Sequence, residues 1–384
     1  MLMDRPTGDA MTILDTDATR FTRHPIAERD RLRDAERARR MRDPGFGGVF
    51  TEHMASVRWS DARGWHDARL EPAAAITLSP AAIGLHYGQI VFEGFKAYAL
   101  PGDRVGLFRP DLVARRLRRS ARRLAMPEPP EALFTEAVTE LVTADRRWVP
   151  PERGKSLYLR PILLATEAHL GLRPSAEYLF LVLAFVTDTF FPGGVRPLTV
   201  DICEDYVRAA PGGTGEAKYP GNYAGTLLAA EQARARGCDQ VVWLDARERH
   251  WVEEMGGMNL FFVHGPAGAP RLTTPPLTGT ILPGVTRDSL ITLAGSLGLP
   301  VTEARTSVTD WRDGAADGSI TETFACGTGA GVAPIGAVRS GEAHWRMGDG
   351  EPGPLTLRLR ETLIDIQHGL APDPWGWVHP VSTR

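Results

Sequence analysis

The sequence predicts an α+β protein of two domains. Three observations support that expectation. Strand-like apolar runs alternate with amphipathic helical stretches along all 384 residues, and domains usually span roughly 100–200 residues. Near the middle, Phe191-Pro-Gly-Gly194 is the clearest break in the chain, because proline and paired glycines punctuate regular structure. The composition, 43% hydrophobic and 24% charged, is that of a chain able to bury a large core.

The elements follow in order. Residues 1–42 are a charged extension, and 25–42 read as an exposed helix with charge pairs along it. Residues 49–100 are strand-like, with Trp59, Trp65 and Tyr87 between turn signals. Residues 109–126 form a helix with leucines at 112, 117 and 124 and six arginines between 115 and 123. Such arginines resemble a nucleic-acid patch, but a solvated helix face is the better reading in a chain of net charge −3. Another amphipathic helix covers 132–145, and buried strands cover 156–165 and 176–186. We place a small domain at 1–190, a linker at 191–195 and a large domain at 196–384. The second half reads as strand 198–203, a glycine-rich segment, helix 223–236, strands 240–244 and 258–263, and helix 286–297. A strand ending near Thr323 precedes Cys326-Gly-Thr-Gly-Ala-Gly331.

Several functions are excluded early. The acidic balance argues against a nucleic-acid partner. Cys203, Cys238 and Cys326 make neither a disulfide framework nor a C-x-x-C metal motif, and the histidines lack metal-ligand spacing, so no metal is expected. The longest apolar run, 178–186, is nine residues, whereas a membrane helix needs about 20. The start of the chain has no basic-then-apolar leader, and Asp4, Asp9, Asp15 and Asp17 are unlike a transit peptide. A soluble, cytoplasmic protein is expected. Gly327-x-Gly329-x-Gly331 departs from a dinucleotide fingerprint in the spacing of its third glycine. It reads better as a turn whose backbone N–H groups bind an anion.

Of the 44 basic residues only Lys96, Lys155 and Lys218 are lysine. Arginine stays protonated and cannot serve as an amine nucleophile, whereas lysine can. Lys218 stands in Pro211-Gly-Gly-Thr-Gly-Glu-Ala-Lys-Tyr-Pro-Gly-Asn-Tyr223, where glycines let the backbone approach a flat ligand. That setting points to a Schiff-base role. Further on, Trp251-Val-Glu-Glu-Met-Gly-Gly-Met-Asn-Leu260 sets a carboxylate before an apolar strand. A buried carboxylate needs a cationic partner, and a pyridinium nitrogen would serve.

The chain resembles the branched-chain amino acid aminotransferases, which are pyridoxal 5'-phosphate (PLP) enzymes of fold type IV. The resemblance runs from about Gly45 to the C-terminus. It is carried by Phe46-Gly-Gly-Val-Phe-Thr-Glu-His-Met54, Leu85-His-Tyr-Gly88, Val91-Phe-Glu-Gly-Phe-Lys-Ala97, Leu107-Phe-Arg-Pro110 and Ser156-Leu-Tyr-Leu-Arg-Pro161. The Lys218 segment, Glu254-Met-Gly-Gly-Met-Asn259 and Leu282-Pro-Gly-Val-Thr-Arg287 complete it. It implies a two-domain fold with the active site at the domain interface, PLP as cofactor, and a homodimer. The implied reaction moves an amino group between leucine, isoleucine or valine and 2-oxoglutarate.

The resemblance also implies roles. Lys218 is the cofactor lysine and general base, Glu254 the acid beside the pyridine nitrogen, and Tyr223 the partner of the cofactor's phenolic oxygen. Arg116, the Val285 and Thr286 amides and Thr328 hold the phosphate. Thr328 and Gly329 receive the substrate carboxylate, with Tyr87 from the other subunit. Phe46, Phe92, Tyr158 and Gly257 line the side-chain pocket together with the partner subunit's Leu170 and Leu172, and Arg160 receives the distal carboxylate of glutamate. Four departures stand out, one of them Phe190, which often corresponds to tyrosine in animal relatives. Tyr219-Pro220 follows the lysine where relatives have a small or polar residue and then glycine, Gly257 often corresponds to threonine in animal relatives, and Ala330 and Ala333 occupy the positions of the animal enzymes' C-x-x-C switch. They leave room for a specialised enzyme acting on a modified branched or aromatic amino acid. A D-amino-acid aminotransferase, an aminodeoxychorismate lyase and a non-catalytic phosphometabolite scaffold are the remaining alternatives.

Overall fold

The computed structural model describes residues 20–191, 193–266 and 268–381. Residues 1–19 of the expected extension, residue 192 of the expected linker and residues 382–384 lie outside the described residues.

Two sheets organise the chain. The first runs in the order Thr22–Arg23, Gly64–Pro72, His53–Ser60, Glu177–Thr187, Ser156–Ala165, Phe95–Leu100, Arg104–Phe108 and Val378–Pro380. Its last member comes from the far C-terminus and pairs antiparallel with Arg104–Phe108. The long pair Ser156–Ala165 and Glu177–Thr187 forms its centre, in register from Ser156↔Thr187 to Ala165↔Tyr178. Both strands read as nearly continuous apolar runs because successive residues are buried on both faces, one of them under helices. Helix Pro110–Arg123 has proline in its first turn, and helix Glu131–Ala144 follows Pro130, as proline's fixed φ favours. The helices bury Val113, Leu117, Phe134, Val138 and Leu141 against Val57, Leu157 and Phe180.

The second sheet runs Val252–Met255, Gln240–Leu244, Leu198–Cys203, Gly331–Ser340, Ile320–Gly327, Met258–His264, Arg271–Thr274 and Val301–Glu303. The first strand also pairs with Met258–His264 through Glu254↔Asn259 and Met255↔Met258. Six strands therefore close on themselves. One apolar cluster of this half contains Val200, Val242, Leu260, Phe262 and Trp311. Another packs helices Val285–Ser296 and Pro354–Gln367 onto the outside through Leu290, Leu293, Leu359 and Leu363.

The expected elements need three corrections. The expected helix 25–42 is regular only over Asp34–Arg42 and buries no residue, with Met41 packed only partly against the core, so little tertiary contact is there to extend it. The expected helix 223–236 is two helices, Gly221–Ala224 and Leu227–Ala235; Thr226 Oγ1 donates to Tyr223 O at 2.6 Å at the break, the backbone competition typical of threonine. The strand expected to end near Thr323 continues to Gly327. Among the described residues no helix is long and apolar enough to cross a membrane, and no group of three or more His, Cys, Asp or Glu could hold a metal ion.

Candidate active site

A cleft of about 320 Å³ opens where the two sheets meet, a size common for small-ligand sites. Phe92, Tyr158 and Arg160 reach it from the first half, and Tyr223, Gly257 and the 327–330 turn from the second. Lys218 stands between them. Its Nζ donates to Tyr223 Oη at 3.1 Å and lies 5.1 Å from the centre of the Phe92 ring. Its backbone is tied on both sides: Lys218 N donates to Ser120 Oγ at 2.9 Å, and Lys218 O accepts from Phe92 N at 3.1 Å. Ser120 is one helical turn beyond Arg116, so a single face of Pro110–Arg123 serves both.

Glu254 is 1% exposed on a strand of the closed sheet. Its Oε1 accepts from Leu282 N at 3.1 Å and more weakly from Asn259 Nδ2 at 3.3 Å. Its Oε2 lies 2.8 Å from Arg208 Nη1 but has no well-aligned hydrogen bond. Burial pushes the carboxyl up to about 7, against the opposing pull of Arg208. This is an acid poised to gain a cation. Gly284 is obligatory beside it, since a Cβ there would lie 2.0 Å from Asn259 Oδ1.

Arg116 is buried and grips Glu93 bidentately, Nε to Oε1 at 2.8 Å and Nη2 to Oε2 at 2.7 Å. Its Nη1 donates to Pro283 O at 3.1 Å. Arginine has five N–H donors, so two remain for an anion. Next to it begins helix Val285–Ser296, capped by no side chain. The Val285 and Thr286 amides have no backbone acceptor among the described residues. Unpaired N–H groups and the helix dipole favour an anion there.

The other wall is aromatic. Tyr158 stacks on Phe185 at 4.7 Å, and Phe46 meets both edge-on at 5.3 Å. A Cβ on Gly94 would strike the Tyr158 hydroxyl at 2.0 Å. The Arg160 guanidinium lies over Phe92 at 5.1 Å and Tyr158 at 5.5 Å. Its buried Nε lacks a hydrogen-bond partner. It forms no ion pair with a carboxylate among the described residues. Gly257 faces Tyr223, where a Cβ would sit 3.3 Å from Cε1. Thr328 and Gly329 lie in the turn that closes the hairpin Gly327↔Gly331.

Three residues expected in the site lie outside this cleft within one chain. Tyr87, Leu170 and Leu172 are exposed, and Tyr87 Oη donates to Leu170 O at 2.6 Å. Tyr219 seals the base of that patch, its hydroxyl 3.0 Å from where a Cβ on Gly88 would be. Pro220 has φ −55° and ψ −32° at the start of the helix Gly221–Ala224. A proline there gives up no helical bond.

Sequence reasoning missed Arg208, Glu93 and Ser120 as holders of the functional groups: Arg208 and Ser120 stand in no recognisable motif, and Glu93 stands in Val91-Phe-Glu-Gly-Phe-Lys-Ala97 with nothing there to show its partner. The arginine-rich helix face is largely engaged: Arg115 pairs with Asp111, Arg118 with Glu128 and Glu131, and Arg122 with Glu128.

The donor set fits PLP. An under-bonded buried carboxylate oxygen suits a protonated ring nitrogen, the Lys218 amine an aldehyde, and Arg116 with the free helix amides a phosphate.

Comparison with known proteins agrees. Residues 90–338 match the model of the family described as amino-transferase class IV. The chain is 51% identical over 352 residues to the "Probable branched-chain-amino-acid aminotransferase" of Streptomyces coelicolor, covering 91% of this chain and 96% of that protein. It is also 51% identical over 346 residues to the "Branched-chain-amino-acid aminotransferase" of Mycobacterium tuberculosis, covering 90% and 94%. Among solved structures, the T.th. branched-chain amino acid aminotransferase with pyridoxamine 5'-phosphate superimposes with a TM-score of 0.69 at 29% identity, covering 85% of this chain and 99% of that one.

Proposed function

The chain belongs to the class IV aminotransferases, and from that premise we propose that it is a PLP-dependent branched-chain amino acid aminotransferase. It exchanges the amino group of L-leucine, L-isoleucine or L-valine with 2-oxoglutarate. The observation that carries this reading is the single cleft in which the amine of Lys218, the Tyr223 hydroxyl and the aromatic wall converge.

When bound, PLP supplies an aldehyde that condenses with amines and a ring that takes up the electron pair released at the substrate Cα. The protein's part follows from its own groups. The amine of Lys218, free once the amino substrate has taken its place, would accept the proton from Cα onto Nζ. The Tyr223 hydroxyl, already 3.1 Å from Nζ, holds the phenolic oxygen side of the cofactor. Glu254 keeps the ring nitrogen protonated, and Arg116 with Val285, Thr286 and Thr328 retains the phosphate. Thr328 and Gly329 take the substrate carboxylate. The wall of Phe46, Phe92, Tyr158 and Gly257 takes an aliphatic side chain, at about 0.8 kcal/mol per buried methylene. Arg160, a cleft cation without a carboxylate partner, takes the distal carboxylate of glutamate.

The same reading includes a cytoplasmic homodimer of two-domain subunits, divided at residues 191–195. Leu172 is 84% exposed and Leu170 is 56% exposed; both, with Tyr87, would complete the partner subunit's pocket.

The test is a purified-protein assay. Holoenzyme given L-leucine and 2-oxoglutarate should yield glutamate and 4-methyl-2-oxopentanoate, and Lys218→Ala should yield neither. Absence of glutamate with leucine, isoleucine and valine alike would reject the assignment.

A further inference from the structure

Lys96 is 8% exposed, on the strand Phe95–Leu100 of the first sheet. Its Nζ donates to Gly329 O at 3.2 Å. Arg360, 7% exposed on the helix Pro354–Gln367, donates through Nη1 to Ala330 O at 3.2 Å and Val332 O at 3.0 Å. Two cations from distant parts of the chain thus hold two carbonyls of one turn and a third in the strand that follows it. Neither has a close acid partner: the nearest carboxylate to Arg360 is Glu361, 3.8 Å from Nε, and that Nε lacks a hydrogen bond. Burial, with Arg360 beside it, pushes the Lys96 amine down to about 8. Uncompensated buried cations are costly, so an arrangement with two of them calls for a function.

Gly327 to Ala330 line the catalytic cleft on one side and a small cavity shared with Lys96 and Arg360 on the other. In a planar trans peptide the C=O and N–H point in opposite directions. The Gly329 carbonyl and the Ala330 amide share one such plane. A cation drawing that carbonyl outward turns the amide toward the cleft. Among the described residues no backbone carbonyl accepts from the Thr328, Gly329 or Ala330 amides. Gly331, at φ +69°, lets the chain re-enter the strand immediately afterward. An anion lodged between the two cations is the rival use of this charge. The carbonyl oxygens facing the same space repel an anion, so orientation of the turn is favoured.

We propose that Lys96 and Arg360 are positioning residues that hold the Gly329 and Ala330 carbonyls outward, so that the 328–330 turn presents its amides to the substrate's α-carboxylate. This rests on the aminotransferase reading of the cleft. It adds two residues that touch no substrate and whose loss weakens carboxylate binding selectively.

The experiment is an equilibrium titration of holoenzyme, followed by cofactor absorbance, with 4-methylpentanoate and its neutral analogue 4-methylpentanamide. Lys96→Met should weaken the acid about 10-fold, the loss of one charge-assisted orientation, and leave the amide within about twofold. Lys96→Arg, which keeps the charge and donor, should restore the acid to within about threefold and guards against misfolding. Equal weakening of acid and amide in Lys96→Met, or no weakening of either, would overturn the proposal. Failure of the unsubstituted holoenzyme to bind the acid would instead count against the reading of the cleft itself.

Discussion

Glu254 offers the sharpest quantitative test, because its charge can be followed without turnover. The perturbation is pH, applied to the apoprotein and to Glu254→Gln. Burial raises the folded carboxyl from its ordinary 4.5 to about 7. The folded state therefore binds more protons than the unfolded state between those values, and stability falls as pH rises through that window. At about 1.4 kcal/mol per pH unit, the loss amounts to about 3 kcal/mol by pH 8. A chain of this length unfolds with an entropy of about 0.8 kcal/mol/K, so the loss corresponds to about 4 °C in Tm. The assay is differential scanning calorimetry at pH 5 and pH 8, at fixed protomer concentration because assembly also shifts Tm. About 2.5 kcal/mol of that loss falls between pH 5 and pH 8, so the fall in Tm over this range should be about 3 °C larger for the apoprotein than for Glu254→Gln. With PLP bound the excess should shrink, since a protonated ring nitrogen favours the charged carboxylate. Parallel Tm profiles for apoprotein and variant would refute the reasoning.

Further outcomes follow from the same geometry. Arg160→Gln should raise KM for 2-oxoglutarate about 30-fold, the loss of about 2 kcal/mol from a charge-assisted contact, while KM for leucine changes less than threefold; equal effects on both would remove Arg160 from distal-carboxylate binding. Glu93→Ala leaves Arg116 buried without its partner and should cost about 3–5 kcal/mol in urea unfolding, whereas an unchanged midpoint would deny the pair any structural weight. Gly284→Ala forces a Cβ to within 2.0 Å of Asn259 Oδ1, so about 1–3 kcal/mol of strain and weaker PLP retention in dialysis are expected; normal retention and Tm would contradict that contact.

The sequence made some features legible and hid others for physical reasons. Strands Ser156–Ala165, Leu198–Cys203 and Gln240–Leu244 match their expected bounds, because each is an apolar run buried on both faces. Helix Val308–Asp317 was not anticipated, although Ser307 and Asp310 form a capping box, a signal readable from sequence. Helix Pro354–Gln367 was missed as well, despite proline at its start and buried Leu355, Leu359, Leu363 and Ile366 at helical spacing. In the cleft, most groups proposed to contact ligands fall within recognisable motifs, Arg116 excepted. Their holders are harder to see: Arg208 looks like any of the chain's other arginines until the fold sets it beside Glu254, and Glu93, although it stands within the motif at 91–97, shows no partner until it meets Arg116. Closure of the second sheet by Val252–Met255 also depends on pairings far apart in sequence, which no local pattern specifies.

The charge pattern of the cleft connects these pieces. Glu93 offsets Arg116, and Arg208 offsets Glu254. Among the described residues, Arg160, Lys218, Lys96 and Arg360 have no such close carboxylate partner at the centre. A chain of net charge −3 therefore concentrates positive charge where its two sheets meet. The ligands assigned to that place are a phosphate and two carboxylic acids, one with a second carboxylate. A low-dielectric cleft focuses its field on such anions. The two paired cations are fixed in position by acids and can orient ligands without moving. Lys96 and Arg360 are spent on backbone carbonyls, whereas Arg160 meets its counter-charge only in what binds, so part of the free energy of binding comes from relieving a charge imbalance built into the fold. Raising ionic strength should accordingly weaken 2-oxoglutarate, with two carboxylates, more than 4-methyl-2-oxopentanoate, with one; equal salt dependence of their KM values would mean that the excess charge is screened before substrate arrives.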